Sequence, residues 1–404
     1  MPEDKLRLAI IGTGGIARRH ITAIQDLFTR GLDDFVVTAA CDVDEENLQR
    51  LAQQCEETLG RRPALYRDYQ ALLRDGVCDA VDLCLPHGLH HGVAVDCMDA
   101  GLHVLCEKPL GITIRACKVM AEKAAKTGLI LSTAVPYRRL RGHRLARWVL
   151  NDAGLIGRPM SFFHAYTRPP RRLDPREPVP PALAWRQDRL MSGGGMVMDS
   201  GFHYCDGMRD LLGEVVQVSA EVREVISGEP LPLSQAREDT VFAILTFENG
   251  AVGAWQWSLS APGAPLRQVV FYGTQGSLID TTDSAFTVFH LFFSSGEVQL
   301  EDGSVRTWAE LEGEYRRAIG EERWEFYYPR GLDDGFGFEI WEFVEAIQGR
   351  RQGVEVDGWE GTRSLAVCQA IYESALVGEP VRVADVLSGA RRTYQAPIDA
   401  HWNL

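Results

Sequence analysis

The chain has 404 residues, which suggests two or three domains, and its 45% apolar and 24% charged content excludes a disordered, collagen-like or coiled-coil chain. A formal charge of −14 makes nucleic acid and anionic lipid poor electrostatic partners. Nine cysteines without a C-x-x-C pair, most of them in apolar runs, read as buried free thiols of a reducing compartment.

The N-terminus shows no basic segment followed by an apolar one, and no run approaches the ~18 apolar residues that span a bilayer. A soluble, cytoplasmic protein is expected.

The first third alternates two periodicities. Leu6 to Ile11 reads as a buried strand, Ile16 to Phe28 as a helix, Phe35 to Cys41 as a strand and Glu45 to Leu59 as a helix. Asp79 to Leu85, His103 to Cys106 and Leu129 to Thr133 read as strands, separated by helices at His91 to Ala100 and Thr113 to Thr127. Such alternation predicts βαβ units in a doubly wound parallel sheet, the Rossmann arrangement.

The pattern changes near Pro136. A helix over Arg144 to Asn151 precedes the Pro-rich stretch Arg168 to Pro181, which reads as a long surface loop. Strands joined by short turns follow from Val215 to Gly273, then helices at Phe338 to Gln348 and Arg363 to Leu376. The expectation is an α/β chain. Residues 1–135 form a doubly wound domain, and 136–404 form an α+β domain on an open, mainly antiparallel sheet.

Gly12-Thr13-Gly14-Gly15-Ile16-Ala17 fits G-x-G-x-x-A directly between the first strand and the first helix. Gly12 suits the tight turn, Gly14 a close approach to pyrophosphate, Ala17 close helix–strand packing, and the helix N-terminus supplies N–H groups to phosphates. Asp42 ends the second strand, where a carboxylate accepts from ribose hydroxyls and repels a 2′-phosphate; no Arg follows it. NAD is therefore expected over NADP. Arg18 and Arg19 are either phosphate contacts or solvated cations.

Two later segments carry a resemblance. Ala100 to Pro109 contains Glu107-Lys108-Pro109 at a strand end, and Gly193-Gly194-Gly195 leads to Asp199-Ser200-Gly201-Phe202-His203-Tyr204-Cys205-Asp206. With the Gly-rich turn, and with Val356-Asp357-Gly358 and Ala370 to Ala375 further on, they resemble the Gfo/Idh/MocA family of glucose-fructose oxidoreductase and inositol dehydrogenase-like proteins. The resemblance spans most of the chain; the Pro-rich loop and roughly 281–331 match poorly.

It implies a Lys/Asp/His site. Lys108, at the carboxyl edge of the sheet and held extended by Pro109, polarises the reacting hydroxyl. His203 takes its proton, since imidazole titrates near working pH. Asp199, one helical turn before His203, orients the imidazole or holds a neighbouring hydroxyl, and Asp206 lies behind them. Pro86-His87-Gly88-Leu89-His90, after Leu85, resembles the family's P-N-x-x-H beside the nicotinamide, with His87 in place of Asn. Glu107 joins Lys108 there, and Trp185-Arg186 resembles a cofactor-touching pair. Tyr137-Arg138 reads as cleft lining or as a linker contact. No metal is expected: His87, His90 and His91 lack an H-E-x-x-H pattern and a partnered carboxylate.

Trp255, Trp257, Trp308 and Trp324 could form a sugar platform, though such residues are more often sheet core or subunit interface. The resemblance implies a homodimer or homotetramer paired through the outer sheet face. The expected activity is NAD-dependent oxidation or reduction at a secondary hydroxyl of a sugar, glycoside or cyclitol. An NAD-recycling glycosidase without net redox change and a non-catalytic NAD-binding sensor are its rivals.

Overall fold

The computed structural model describes residues 5–169, 181–224, 238–261, 263–282 and 293–404. By contacts the chain divides into two compact units, one of 1–136 with Tyr328–Thr362, the other of Tyr137–Tyr327 with Arg363–Leu404.

The first unit is built on six parallel strands: β1 (Leu6–Ile11), β2 (Phe35–Cys41), β3 (Ala64–Tyr66), β4 (Ala80–Leu83), β5 (His103–Glu107) and β6 (Leu131–Ala134). Their order, 3-2-1-4-5-6, is that of the dinucleotide-binding doubly wound sheet. The connecting helices are α1 (Gly15–Thr29), α2 (Glu45–Leu59), α3 (Tyr69–Asp75), α4 (His90–Asp99) and α5 (Ile114–Thr127). Asp44, Asp68 and Thr113 cap α2, α3 and α5 by accepting from backbone N–H groups of their first turns. β1 and β4 to β6 are buried on both faces, so they read in sequence as apolar runs.

By contacts Tyr328–Thr362 groups with this unit. The main chain explains it. Thr133 N–H donates to Val356 O at 2.8 Å, and Ser132 bridges Asp357 at the edge of β6. The helix Gly335–Ile347 lies against α1, where Arg19 pairs with Asp334 and stacks over Phe336.

Among the described residues the second unit carries nine strands: β7 (Pro159–Thr167), β8 (Val215–Arg223), β9 (Thr240–Phe247), β10 (Val252–Ser258), β11 (Leu266–Gly273), β12 (Gly276–Asp280), β13 (Gly296–Leu300), β14 (Val305–Thr307) and β15 (Val381–Arg382). The order is 14-13-12-11-7-10-9-8-15, antiparallel at every pairing except β7 with β10. The helix Met196–Leu212 lies on its inner face. There Tyr204 stacks on Trp255 at 4.3 Å between centroids and meets His164 and Trp257 edge-on or tilted. Trp255 and Trp257 are completely buried core, as their place on the inner face of β10 requires. Burial pushes the His164 imidazole down to about 3, so this layer is uncharged there.

Of the Pro-rich stretch, residues 170–180 lie outside the described residues, as do 283–292 of the poorly matched segment. All nine cysteines are buried and unbridged. Among the described residues no helix is long and apolar enough to cross a membrane.

Candidate active site

Two glycine-rich helix starts take opposite solutions. At α1, Gly12 sits at φ 90°, and a Cβ there would stand 2.4 Å from the Cys84 carbonyl oxygen, so only glycine lets this turn cross β4. Gly14 is the N-cap without a side-chain cap, and a Cβ on Gly14 or Gly15 would meet nothing within 4 Å. The first-turn N–H groups thus border open space, as a pyrophosphate cradle requires. Ala17 is fully buried and Ile16 half-buried.

At Met196–Leu212 the N-terminus is filled from within. The buried carboxylate of Glu238 accepts from Gly195 N–H and Val197 N–H at 3.0 Å and from the Tyr372 hydroxyl. A Cβ on Gly195 would fall 2.8 Å from Glu238 Oε2, and one on Gly194 would fall 2.2 Å from the Tyr372 oxygen. Gly194 and Gly195 are required by these side chains, and Gly193 by its φ of 79°. Burial pushes the Glu238 carboxyl up although the helix N-terminus favours its charge.

Asp42 closes the cradle. Its Oδ2 accepts from Thr13 N–H at 2.6 Å and Thr13 Oγ1 at 2.9 Å, and Oδ1 accepts from Asp44 N–H. A carboxylate has about four acceptor sites, so ribose hydroxyls remain within its capacity. Thr13, an unmarked position of the motif, thereby sets the orientation of Asp42. Arg19 is engaged by Asp334 and Phe336, while Arg18 is exposed.

Further along the same carboxyl edge, Leu85 and Pro86 are half-buried and lead into a short turn. His90 is buried with Nε2 2.9 Å from Leu85 O and Nδ1 3.0 Å from Pro109 O, tying that turn to the segment after β5. Burial lowers its basicity, and a neutral ring donates to one of the two carbonyls. Glu107 ends β5 buried; its Oε2 accepts from Lys108 N–H at 2.9 Å, and the Lys108 side chain is half-buried.

In the second unit, His203 is 8% exposed and meets the Tyr137 ring edge-on at 4.6 Å. Asp199 accepts from Arg186 Nη1 at 2.6 Å, and Arg186 lies over Trp185. The sequence-marked Asp199 and Trp185-Arg186 therefore come together. Asp206 is fully buried, held by both arms of Arg138 and by Ser364 Oγ at 2.8 Å. Tyr137 and Arg138 thus grip the helix that bears His203, one by its ring and the other by its backing carboxylate.

One cluster escaped the sequence reading. His20, Asp82, Glu107 and Glu339 converge beneath the cradle, with Cys84 beside them. Its signals were a histidine on the apolar stripe Ala17, Ile21, Ile24 of α1 and an aspartate inside the buried strand β4. Among the described residues, His20 with Asp82 and Cys84, and His20 with Glu107 and Glu339, are the groups at metal-ligand spacing. His87, His90 and His91 form no such group.

A parallel sheet of order 3-2-1-4-5-6, an open glycine cradle and a terminal carboxylate on β2 define a dinucleotide-binding α/β protein. The family model described as an oxidoreductase family with NAD-binding Rossmann fold matches residues 6–135, and its C-terminal alpha/beta domain model matches 152–383. The chain belongs to the Gfo/Idh/MocA oxidoreductase family.

It is 29% identical over 275 residues to a myo-inositol 2-dehydrogenase of Thermotoga maritima, covering 68% of this chain and 74% of that protein. It is 30% identical over 316 residues to a 1,5-anhydro-D-fructose reductase of Ensifer adhaerens, covering 78% and 82%. A solved levoglucosan dehydrogenase in complex with NADH and levoglucosan matches with a TM-score of 0.73 at 25% identity, covering 94% of this chain and 99% of that one.

Proposed function

We propose that the chain is an NAD-dependent dehydrogenase exchanging hydride with a secondary hydroxyl of a sugar, glycoside or cyclitol. The open cradle at α1, with Lys108 leaving the same sheet edge, carries this reading. Relatives named for inositol, anhydrofructose and levoglucosan support the substrate class.

In this reading Gly12, Gly14, Gly15, Ile16 and Ala17 hold the pyrophosphate. Asp42 takes the adenine ribose and disfavours a 2′-phosphate, so NAD is preferred over NADP. Leu85, Pro86, His90, Glu107 and Lys108 border the nicotinamide end, and Trp185 and Arg186 also touch the cofactor. Bound NAD supplies the hydride acceptor, C4 of its nicotinamide.

Lys108 donates a hydrogen bond to the reacting hydroxyl and raises its acidity. His203 removes the hydroxyl proton, its ring set by Tyr137. Asp199, steadied by Arg186, holds the substrate or the imidazole. A cytoplasmic homodimer or homotetramer, paired through the outer face of the nine-stranded sheet, completes the proposal.

The test is a panel of sugars, glycosides and inositols followed by NADH or NADPH absorbance with both cofactors in parallel. Turnover with NAD on at least one polyol is expected. Aglycone release without NADH accumulation, or NAD binding without turnover across the panel, would overturn the reading, as would a clear preference for NADP.

A further inference from the structure

Beneath the glycine cradle, the first unit buries an acid–imidazole chain that ends at the main chain of Lys108. His20 projects from α1 and is completely buried. Its Nδ1 lies 2.7 Å from Asp82 Oδ2 on β4, and its Nε2 lies 3.1 Å from Glu107 Oε1 at the end of β5. Glu339 Oε1, from the helix Gly335–Ile347, is 3.7 Å from the same nitrogen. Cys84 Sγ stands 3.8 Å from Nδ1, and Phe336 covers the ring at 5.5 Å. The second oxygen of Glu107 accepts from Lys108 N–H. Asp82, His20, Glu107 and the Lys108 amide are therefore linked in series across α1, β4 and β5.

Carboxylate oxygens only accept, and one faces each ring nitrogen, so both nitrogens must donate. A neutral ring has one N–H and would leave one contact unmade in a site without solvent. Desolvation opposes the charged ring, but Asp82 and its neighbours outweigh it and hold the imidazole well above its ordinary value.

We propose that His20 is a positioning residue for Lys108, acting through Glu107, whose carboxylate it clamps so that the strand end presents Lys108 to the substrate in one orientation. The proposal rests on the reading of Lys108 as the group that polarises the hydroxyl. Two bonds fix the Glu107 carboxylate, one to the ring and one to the Lys108 amide. Loosening either frees the strand end, and small displacements of a reacting group reduce rates steeply. His20 itself touches neither substrate nor cofactor in this scheme. Both of its protons stay committed to Asp82 and Glu107, so it exchanges none during turnover.

The chain contains only five lysines, at 5, 108, 118, 123 and 126, which makes a direct observation of Lys108 practicable. Reductive methylation with ¹³C-formaldehyde gives one NMR signal per lysine, with Lys108 assigned from Lys108→Met. Spectra are recorded on full-length protein with NAD added, for wild type, His20→Gln and Glu107→Gln. The expected result is displacement or broadening of the Lys108 signal in both variants, while the other four stay in place. Glu107→Gln preserves side-chain size and keeps the test informative if His20→Gln folds poorly.

Kinetics with the most active polyol of the panel, at saturating NAD, should show kcat lower by about tenfold in Glu107→Gln. Adding Glu107→Gln to Lys108→Met should cost nothing further, since the first acts through the second. An unmoved Lys108 signal in both variants, or losses that multiply in the double variant, would overturn the positioning role. Full turnover in Lys108→Met would instead defeat the reading of Lys108 itself, whatever the spectra show.

Discussion

In the proposed reading, Lys108 and His203 present chemistry and other side chains hold them. Lys108→Ala and His203→Ala are expected to lower kcat by roughly a hundredfold or more, the usual contribution of a positioned acid or base. NAD binding, read by fluorescence titration, should stay near wild type; near-normal kcat in both variants would remove their assigned roles. Asp42→Ala should weaken NAD binding and narrow the NAD/NADP preference, because in the proposed reading it deletes both the ribose acceptor and the repulsion of a 2′-phosphate.

His20 gives a pH signature of opposite sign to the usual carboxylate. Its folded pKa is raised, so the stability it adds is fully present below the unfolded value of about 6.5 and is lost as pH rises through the folded one. The Tm difference between wild type and His20→Gln should accordingly be widest below about pH 6.5 and narrow in alkali; a pH-independent difference would contradict a charged ring. Motif spacing and strand–helix punctuation mark the glycine, Asp42 and Lys108 positions in the sequence. They leave Thr13 and the His20 cluster unmarked, since their partners come from strands and a helix far apart in sequence and only burial reveals them.

At the level of elements, the helix Met196–Leu212 depends on an internal cap. Glu238 satisfies Gly195 N–H and Val197 N–H, so Glu238→Ala should cost at least the ~1 kcal/mol of a lost cap. Gly195→Ala drives a methyl toward Glu238 Oε2 and should destabilise by about 1–3 kcal/mol, as overpacking does. Denaturant midpoints check both, and unchanged midpoints would refute the capping. The sequence showed that helix and its glycines, but it could not show Glu238, which lies 43 residues beyond Gly195.

Apolar periodicity located β1, β2, α1 and α2 to within about a residue or two. β3 and α3 were missed because three residues exposed or half-buried and seven helical ones carry too little pattern. β7 escaped beside the Pro-rich stretch. The antiparallel strands after Val215 were read from their turns, yet the single parallel pairing of β7 with β10 has no local signal.

Across the whole molecule, the outer face of the nine-stranded sheet stands out. Ile244, Ala254, Phe163 and Val270 lie in register across β9, β10, β7 and β11. Phe242, Ile244 and Tyr272 are 51%, 54% and 47% exposed, large apolar groups for a surface facing water. This suits the proposed pairing of copies through that face. Phe242→Glu with Ile244→Glu should yield a smaller species by sedimentation while each chain stays folded; an unchanged sedimentation coefficient would place the interface elsewhere. Fold class was legible at this scale because alternating βαβ signals and then clustered strands specify it. The return of 328–362 to the first unit was not, since it depends on the edge bridge at Ser132 and on the contacts of Gly335–Ile347 with α1.

The most direct measurement follows the hydride itself. The protein is incubated with NAD and a panel of sugars, glycosides and inositols deuterated at their carbinol carbons, and the reduced cofactor is examined by mass spectrometry. At least one compound should give NADH carrying a single deuterium from substrate carbon, and Lys108→Ala and His203→Ala should suppress that transfer. A protein that binds NAD yet transfers no deuterium from any of them would contradict the proposed function.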